Sequence, residues 1–399
     1  MTIDRSNALA LQRVHSALLT ILLVGTLTLS AALPAAGGGT NGGARPTATR
    51  PRLPAPSYGV QAFLWWNHDT AERDLELVKD MGFGWIKQGF GWRDIEDIEK
   101  GHYNWYFSDW IVSHAEEAGL KILARIDRQP FWSQRPGEGL YQNGPPANLN
   151  DLRDFCYALA DRYHGRIQAY QVWNEPNLGR EWGNKPPNAA QYVELLRACY
   201  LGIKMADPEA IVISAGLAPT GVDSPTSIPD DRFLQEMYAA GAAAYFDVLG
   251  LNAPGYKAPP ETSPEDAADL DLGWGGHRTF AFRHVEDMRA IMVANGDAQK
   301  QVAILEMGWT TDPRPDSPYH WHAVTEAQQA DYLVRAYHYA AENWPWVGLM
   351  CTAYIAKYDW TDADEQFWWA ITYPDYPQTR VRPAYDALKA MPKQSRTSD

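Results

Sequence analysis

The sequence predicts an α/β fold of one kind, a (β/α)8 TIM barrel, set behind an N-terminal leader and a linker. Three observations carry this. From Tyr58 onward, apolar runs of strand length alternate with amphipathic stretches of helical length, eight of each. The units fill residues 58–392, the span of a barrel with enlarged loops. The first apolar run leads into Leu64-Trp65-Trp66-Asn67-His68, not into the glycine turn that opens a doubly wound open sheet.

The strands are read in order at Gly59–Phe63, Trp85–Gln88, Lys121–Ile126, Ala169–Trp173, Ile211–Ala215, Val248–Asn252, Gln301–Leu305 and Val347–Tyr354. Each is short, rich in β-branched or aromatic residues and bounded by polar or glycine-containing stretches. The helices between them are Thr70–Met81, Phe107–Ala118, Leu149–Tyr163, Ala189–Met205, Arg232–Ala240, Thr279–Asn295 and Glu326–Asn343, with Pro383–Met391 after the eighth strand. Gly82 and Gly119 each follow a last helical turn and act as stops. The stretches 254–276 and 310–324 are long enough to rim a cleft.

The chain has 399 residues and a formal charge of −14. Its first 57 residues carry five arginines against Asp4, so the body is more acidic still. Such a body has no affinity for nucleic acid and little for an anionic membrane. Trp (17) and Tyr (21) outnumber Phe (11), an excess of rings with one polar end, which suits a sugar-binding cleft. Cys156, Cys199 and Cys351 have no metal or redox spacing and read as buried thiols, with a Cys156–Cys199 disulfide open to an exported chain.

Residues 1–36 read as a signal peptide or N-terminal anchor: Arg5 and Arg13 precede an apolar run from Ala17 to Leu33, then small residues. Export follows, with a membrane tether possible only through this segment. Residues 37–57, rich in Gly, Pro and Thr, read as a flexible linker, and 393–399 as a disordered tail. The glycine run at 37–42 matches a dinucleotide-binding pattern but follows no strand, so no nucleotide is inferred. His320-Trp321-His322 lacks further ligands and reads as loop surface; no metal or cofactor is expected.

The chemistry lies at strand ends. The fourth strand delivers Asn174-Glu175-Pro176 and the seventh delivers Glu306. In a barrel these positions share the C-terminal face, where active sites sit. Two opposed carboxyls suffice to cleave a glycosidic bond: one protonated to expel the leaving group, one ionised to attack the anomeric carbon, about 5–5.5 Å apart if configuration is retained. Glu261, Glu265 and Glu326 are weaker candidates, being in a loop or a helix first turn.

Trp173-Asn174-Glu175-Pro176 resembles the Asn-Glu-Pro signature of clan A glycoside hydrolases, the retaining (β/α)8 enzymes that include families 5 and 39. The stretch Phe90-Gly91-Trp92-Arg93-Asp94-Ile95-Glu96, with Lys100 to Trp105, also resembles the clan's second loop. The resemblance implies Glu175 as acid/base, Glu306 as nucleophile and Asn174 at the sugar 2-hydroxyl. It departs at Lys87, where family 5 places an arginine, and at Asn252, where the clan often has histidine, with Tyr256 displaced. Substrate contacts are expected from Trp92, Trp132, Asn252, Tyr256, Trp309, Tyr354 and Trp360, with Trp65 or Trp66 and Trp182 on the same groove.

The expected function is therefore an exported, retaining hydrolase of β-linked glycosides whose partner is an oligosaccharide, polysaccharide or simpler glycoside. A non-catalytic carbohydrate-binding protein and a transglycosylase share the same residues. An aldolase would need a strand-end lysine, for which Lys87 is the candidate.

Overall fold

The computed structural model describes residues 51–65, 67–135 and 143–394. The leader read at 1–36, most of the linker, Trp66 and residues 395–399 lie outside them.

Eight parallel strands close into a barrel in chain order. They are β1 (Ser57–Gln61), β2 (Trp85–Gly89), β3 (Lys121–Ile126), β4 (Ala169–Val172), β5 (Ile211–Ile213), β6 (Val248–Pro254), β7 (Gln301–Gly308) and β8 (Val347–Thr352). The ring is sealed by β8 on β1, from Ser57 opposite Leu349 to Val60 opposite Thr352. Outside run α1 (His68–Asp80), α2 (Tyr106–Glu117), α3 (Leu149–Arg162), α4 (Ala189–Ala206), α5 (Asp230–Ala239), α6 (His284–Ala294), α7 (Glu326–Asn343) and α8 (Pro383–Ala390). Side chains of Asn67, Asn148 and Asn188 cap α1, α3 and α4, and Thr325 with Gln328 forms a capping box on α7.

Two boundaries differ from the sequence reading in ways that matter. The helix expected at 279–295 is broken: a single turn at Arg278–Phe280 is followed by extended Ala281, and α6 starts only at His284. Phe282 is fully buried at the break. β7 runs on to Gly308, so Glu306 lies within the strand instead of capping it.

Strand alternation sorts the core into two layers. Trp85, Leu123, Ala169, Ile211, Val248, Ala303, Leu305, Leu349 and Cys351 pack into one cluster, the barrel lumen. Val60, Ile86, Ile122, Tyr170, Val212, Leu249, Ile304 and Met350 belong to the larger layer between strands and helices. Leu53 joins the lumen cluster. Its N–H donates to Gln301 Oε1 (2.9 Å) and its carbonyl accepts from Gln301 Nε2 (3.0 Å). The packed body thus reaches into the stretch read as linker, on the near side of the boundary drawn at 58. At the other end, Gln394 donates to the Tyr58 hydroxyl (2.9 Å), inside the stretch read as tail.

All three cysteines are buried and free. Among the described residues no helix is long and apolar enough to cross a membrane.

Candidate active site

Above the apolar lumen the inward-facing positions turn polar. The alternation continues from Trp85 to Lys87 on β2, from Leu123 to Arg125 and on to Asp127 on β3, and from Gly59 to Gln61 on β1. Of these, Gln61, Arg125 and Asp127 floor a cavity of about 1000 Å³ at the C-terminal mouth, lined also by Asn174, Glu175, Asn252, Tyr256, Glu306, Tyr354 and Trp360, with Lys87 buried beneath Glu306.

Glu306 enters the cavity because β7 carries a bulge. Leu251 on β6 faces Ile304, but Asn252 faces Glu306, leaving Leu305 as the extra residue. Leu305 points into the lumen and Ile304 toward the helices. Strict alternation would have sent Glu306 outward beside Ile304; the extra residue turns it back in. There Lys87 Nζ donates to Oε1 at 2.7 Å, the Tyr354 hydroxyl donates to Oε2 at 3.2 Å, and Arg125 stands 3.8 Å from Oε1. Arg125 is itself held by Asp127 at 2.9 Å. Burial pushes the Glu306 carboxyl upward, but the charges of Lys87 and Arg125 and the hydrogen bonds outweigh it, and its pKa falls below the usual carboxylate value.

Glu175 is placed by backbone conformation. Beyond the last β4 residue, Trp173 has φ 72° and Glu175 has φ 44°, left-handed geometry that is costly for side chains of this size and is concentrated at functional sites. The Glu175 N–H donates to Gly216 O at 3.0 Å. Asn252 Nδ2 donates to Glu175 Oε1 at 3.1 Å, and Arg180 to Oε2 at 2.9 Å. Gly216 makes room for this contact: a Cβ there would lie 2.1 Å from Asn252 Oδ1. Burial raises the Glu175 pKa; Arg180 and Asn252 pull it down and the nearby Glu306 charge pushes it up, with the balance upward. One carboxyl of the pair is thus biased toward ionisation and the other toward protonation.

Seven of the ten residues expected from sequence to be catalytic or substrate-binding line this cavity: Glu175, Glu306, Asn174, Asn252, Tyr256, Tyr354 and Trp360. The Tyr256 hydroxyl donates to Pro219 O (2.9 Å), away from Glu306. Trp92, Trp132 and Trp309 do not line it. Trp92 is fully buried, stacks on Phe155 and donates to Glu96 (2.6 Å). Trp132 packs edge-on against Trp92 and donates to the Glu96 carbonyl (2.8 Å). Trp309 is fully buried and donates to Ala258 O (2.9 Å). Their indole N–H groups are satisfied inside the protein, so these rings are structural. Trp65 and Trp182 are buried likewise. Lys87, weighed for imine chemistry, is buried in its ion pair with Glu306.

Several lining residues escaped the sequence reading: Gln61, Arg125, Asp127, Arg180, Glu181, Tyr319, His322, Glu365 and Trp369. The first three were available from strand periodicity, since each sits two residues beyond an inward-facing neighbour. His322 belongs to the His-Trp-His run read as loop surface, yet it is buried, lines the cavity, and burial pulls its pKa down to about 4. Among the described residues no group of His, Cys, Asp and Glu is arranged to hold a metal ion.

No protein-family model matches the chain, and no curated protein matches it in sequence. Solved structures do share its fold. A family 39 glycoside hydrolase from the gut symbiont Bacteroides cellulosilyticus WH2 superposes with a TM-score of 0.61 at 19% identity, over 84% of this chain and 63% of that one. Xylanase 10B from Thermotoga maritima superposes with a TM-score of 0.55 at 17% identity, over 84% of this chain and 94% of that one. A fungal β-1,4-galactanase gives 0.54 at 18% identity, over 84% and 99%. The chain spans under two thirds of the length of the family 39 structure. At these identities the likeness is one of fold: the closed barrel that the clan A resemblance implied is the barrel these glycoside hydrolases share.

Proposed function

We propose that this protein is a glycosidase that hydrolyses β-linked glycosides with retention of configuration, with Glu306 as nucleophile and Glu175 as acid/base. The observation that carries the reading is the opposed environments of two carboxyls in one cavity: Glu306 clamped by Lys87, Arg125 and Tyr354, which favours its carboxylate, and Glu175 under burial that favours its acid form. In the first step the Glu306 carboxylate bonds to the anomeric carbon while Glu175 gives its proton to the departing glycosidic oxygen. In the second, Glu175, now a carboxylate, takes a proton from water, and the hydroxide formed displaces Glu306. Asn174, beside Glu175 on the cavity wall, is suited to the sugar 2-hydroxyl. Glycoside hydrolases among the structures of like fold favour a saccharide substrate. Export of the protein remains part of this reading and rests on the sequence of residues 1–36.

Azide rescue tests the roles. Glu306→Ala should abolish turnover. Glu175→Ala should still cleave β-glycosides with activated leaving groups, and azide should accelerate it and yield the β-glycosyl azide. Release of the β-azide from Glu306→Ala instead would exchange the two roles, and full activity in either variant would refute the mechanism. If added sugar acceptors are glycosylated faster than water, the transglycosylase reading replaces the hydrolase one.

A further inference from the structure

The His-Trp-His run has a place in the site that the two carboxyls do not account for. His322 is 3% exposed and lines the cavity, and its imidazole makes no side-chain hydrogen bond to another of the described residues. Next to it in sequence, Trp321 is 44% exposed, a large ring open to solvent that packs on two cavity-lining residues, Tyr256 and His322. Its ring is fixed on three sides, by His322 (centroids 4.9 Å apart), Phe280 (5.0 Å) and Tyr256 (6.0 Å). Gly275 lets it sit there, for a Cβ at that residue would meet Phe280 at 2.6 Å and Trp321 at 3.0 Å. Lys257 Nζ stands over one face of the ring, 5.9 Å from its centre, a cation and donor on the indole. An exposed indole held rigid beside a cavity-lining imidazole suits a sugar ring, whose C–H face stacks on the one while its hydroxyls lie near the other.

The position says which sugar. Tyr256, which bridges Trp321 to the cavity, follows Asn252 on the β6 side, and Asn252 bonds Glu175. The partners of Glu306 come from the opposite arc: Lys87 on β2, Arg125 on β3 and Tyr354 after β8. The group that receives a proton from Glu175 is the leaving group. We infer that Trp321 and His322 form a leaving-group subsite for a saccharide, so that the substrate is a β-linked oligosaccharide or polysaccharide and not the glycoside of a small alcohol. This rests on the glycosidase reading above and adds the aglycone class to it.

The test compares two kinds of substrate on wild type, Trp321→Ala and His322→Phe. Xylotriose, cellotriose and β-1,4-galactotriose offer a sugar leaving group. β-Xylosyl, β-glucosyl and β-galactosyl fluorides share the glycone but have no aglycone and need no proton. For the trisaccharide that wild type cleaves, kcat/KM should fall about 10- to 100-fold in Trp321→Ala, the scale of a lost aromatic stack, and fall also in His322→Phe. On the matching fluoride both variants should stay within about twofold of wild type. Equal losses on both substrates, or none on either, would overturn the inference. If wild type cleaves none of the six, the glycosidase reading fails by itself. Titration calorimetry of the trisaccharides then decides the subsite: binding that Trp321→Ala weakens supports it, while unchanged or absent binding overturns it.

Discussion

Against the upward push of burial, Lys87 lowers the pKa of Glu306 and Arg180 that of Glu175, and each cation can be removed separately. In the proposed mechanism Glu306 attacks as the carboxylate, so activity on the acid side should rise as it loses its proton. Lys87 holds its pKa down, so Lys87→Met should move the acid limb of kcat/KM to higher pH. Unpairing a buried carboxylate should also lower stability, by roughly 3–5 kcal/mol, which a urea titration measures. In the same mechanism Glu175 starts protonated, so activity on the basic side should fail as it ionises. Arg180 pulls its pKa down, and Arg180→Gln should move the basic limb to higher pH, the same direction by the opposite logic. Arg180 is 63% exposed in its side chain, so the protein should fold unchanged. A pH–rate profile in which Arg180→Gln shifts the acid limb instead would reverse the assignments of acid and nucleophile.

At the scale of elements, strand periodicity was readable and its interruption was not. All eight strands, and Glu175 with Asn174 beyond the fourth, follow from apolar runs that end in polar groups. The bulge at Leu305 left no mark in the sequence, because a single extra apolar residue in an apolar strand alters nothing in the pattern. Glu306 was found by treating the strand as finished at Leu305, although β7 continues to Gly308 and the bulge is what aims the side chain. The tryptophans were misjudged for a related reason. Position after a strand fixes which end of the barrel a ring occupies, not whether it turns up to the cleft or down onto the helices. Partners within the protein decide that: Glu96 for Trp92 and Trp132, Ala258 O for Trp309. Trp309→Ala should accordingly act on the fold, lowering unfolding free energy by about 3–5 kcal/mol with KM for a minimal substrate near wild type. A large rise in KM at unchanged stability would return Trp309 to the cleft.

For the whole molecule, the barrel has a polar end that holds the cavity and an apolar end that must be shut. Leu53 closes the second, seated in the lumen cluster and tied on both its backbone groups to Gln301. A protein beginning at Pro51 should match the full chain in urea midpoint. One beginning at Tyr58 should lose roughly 2–5 kcal/mol, the cost of emptying a buried leucine site, and equal midpoints would show the plug to be idle. The same residue sets a limit on proteolysis. A cut on the N-terminal side of Leu53 leaves the plug seated, whereas a cut beyond it uncorks the barrel. The N-termini of fragments that survive limited proteolysis of the native protein should therefore stop short of Leu53, wherever the protease's own sequence preference would place the cut.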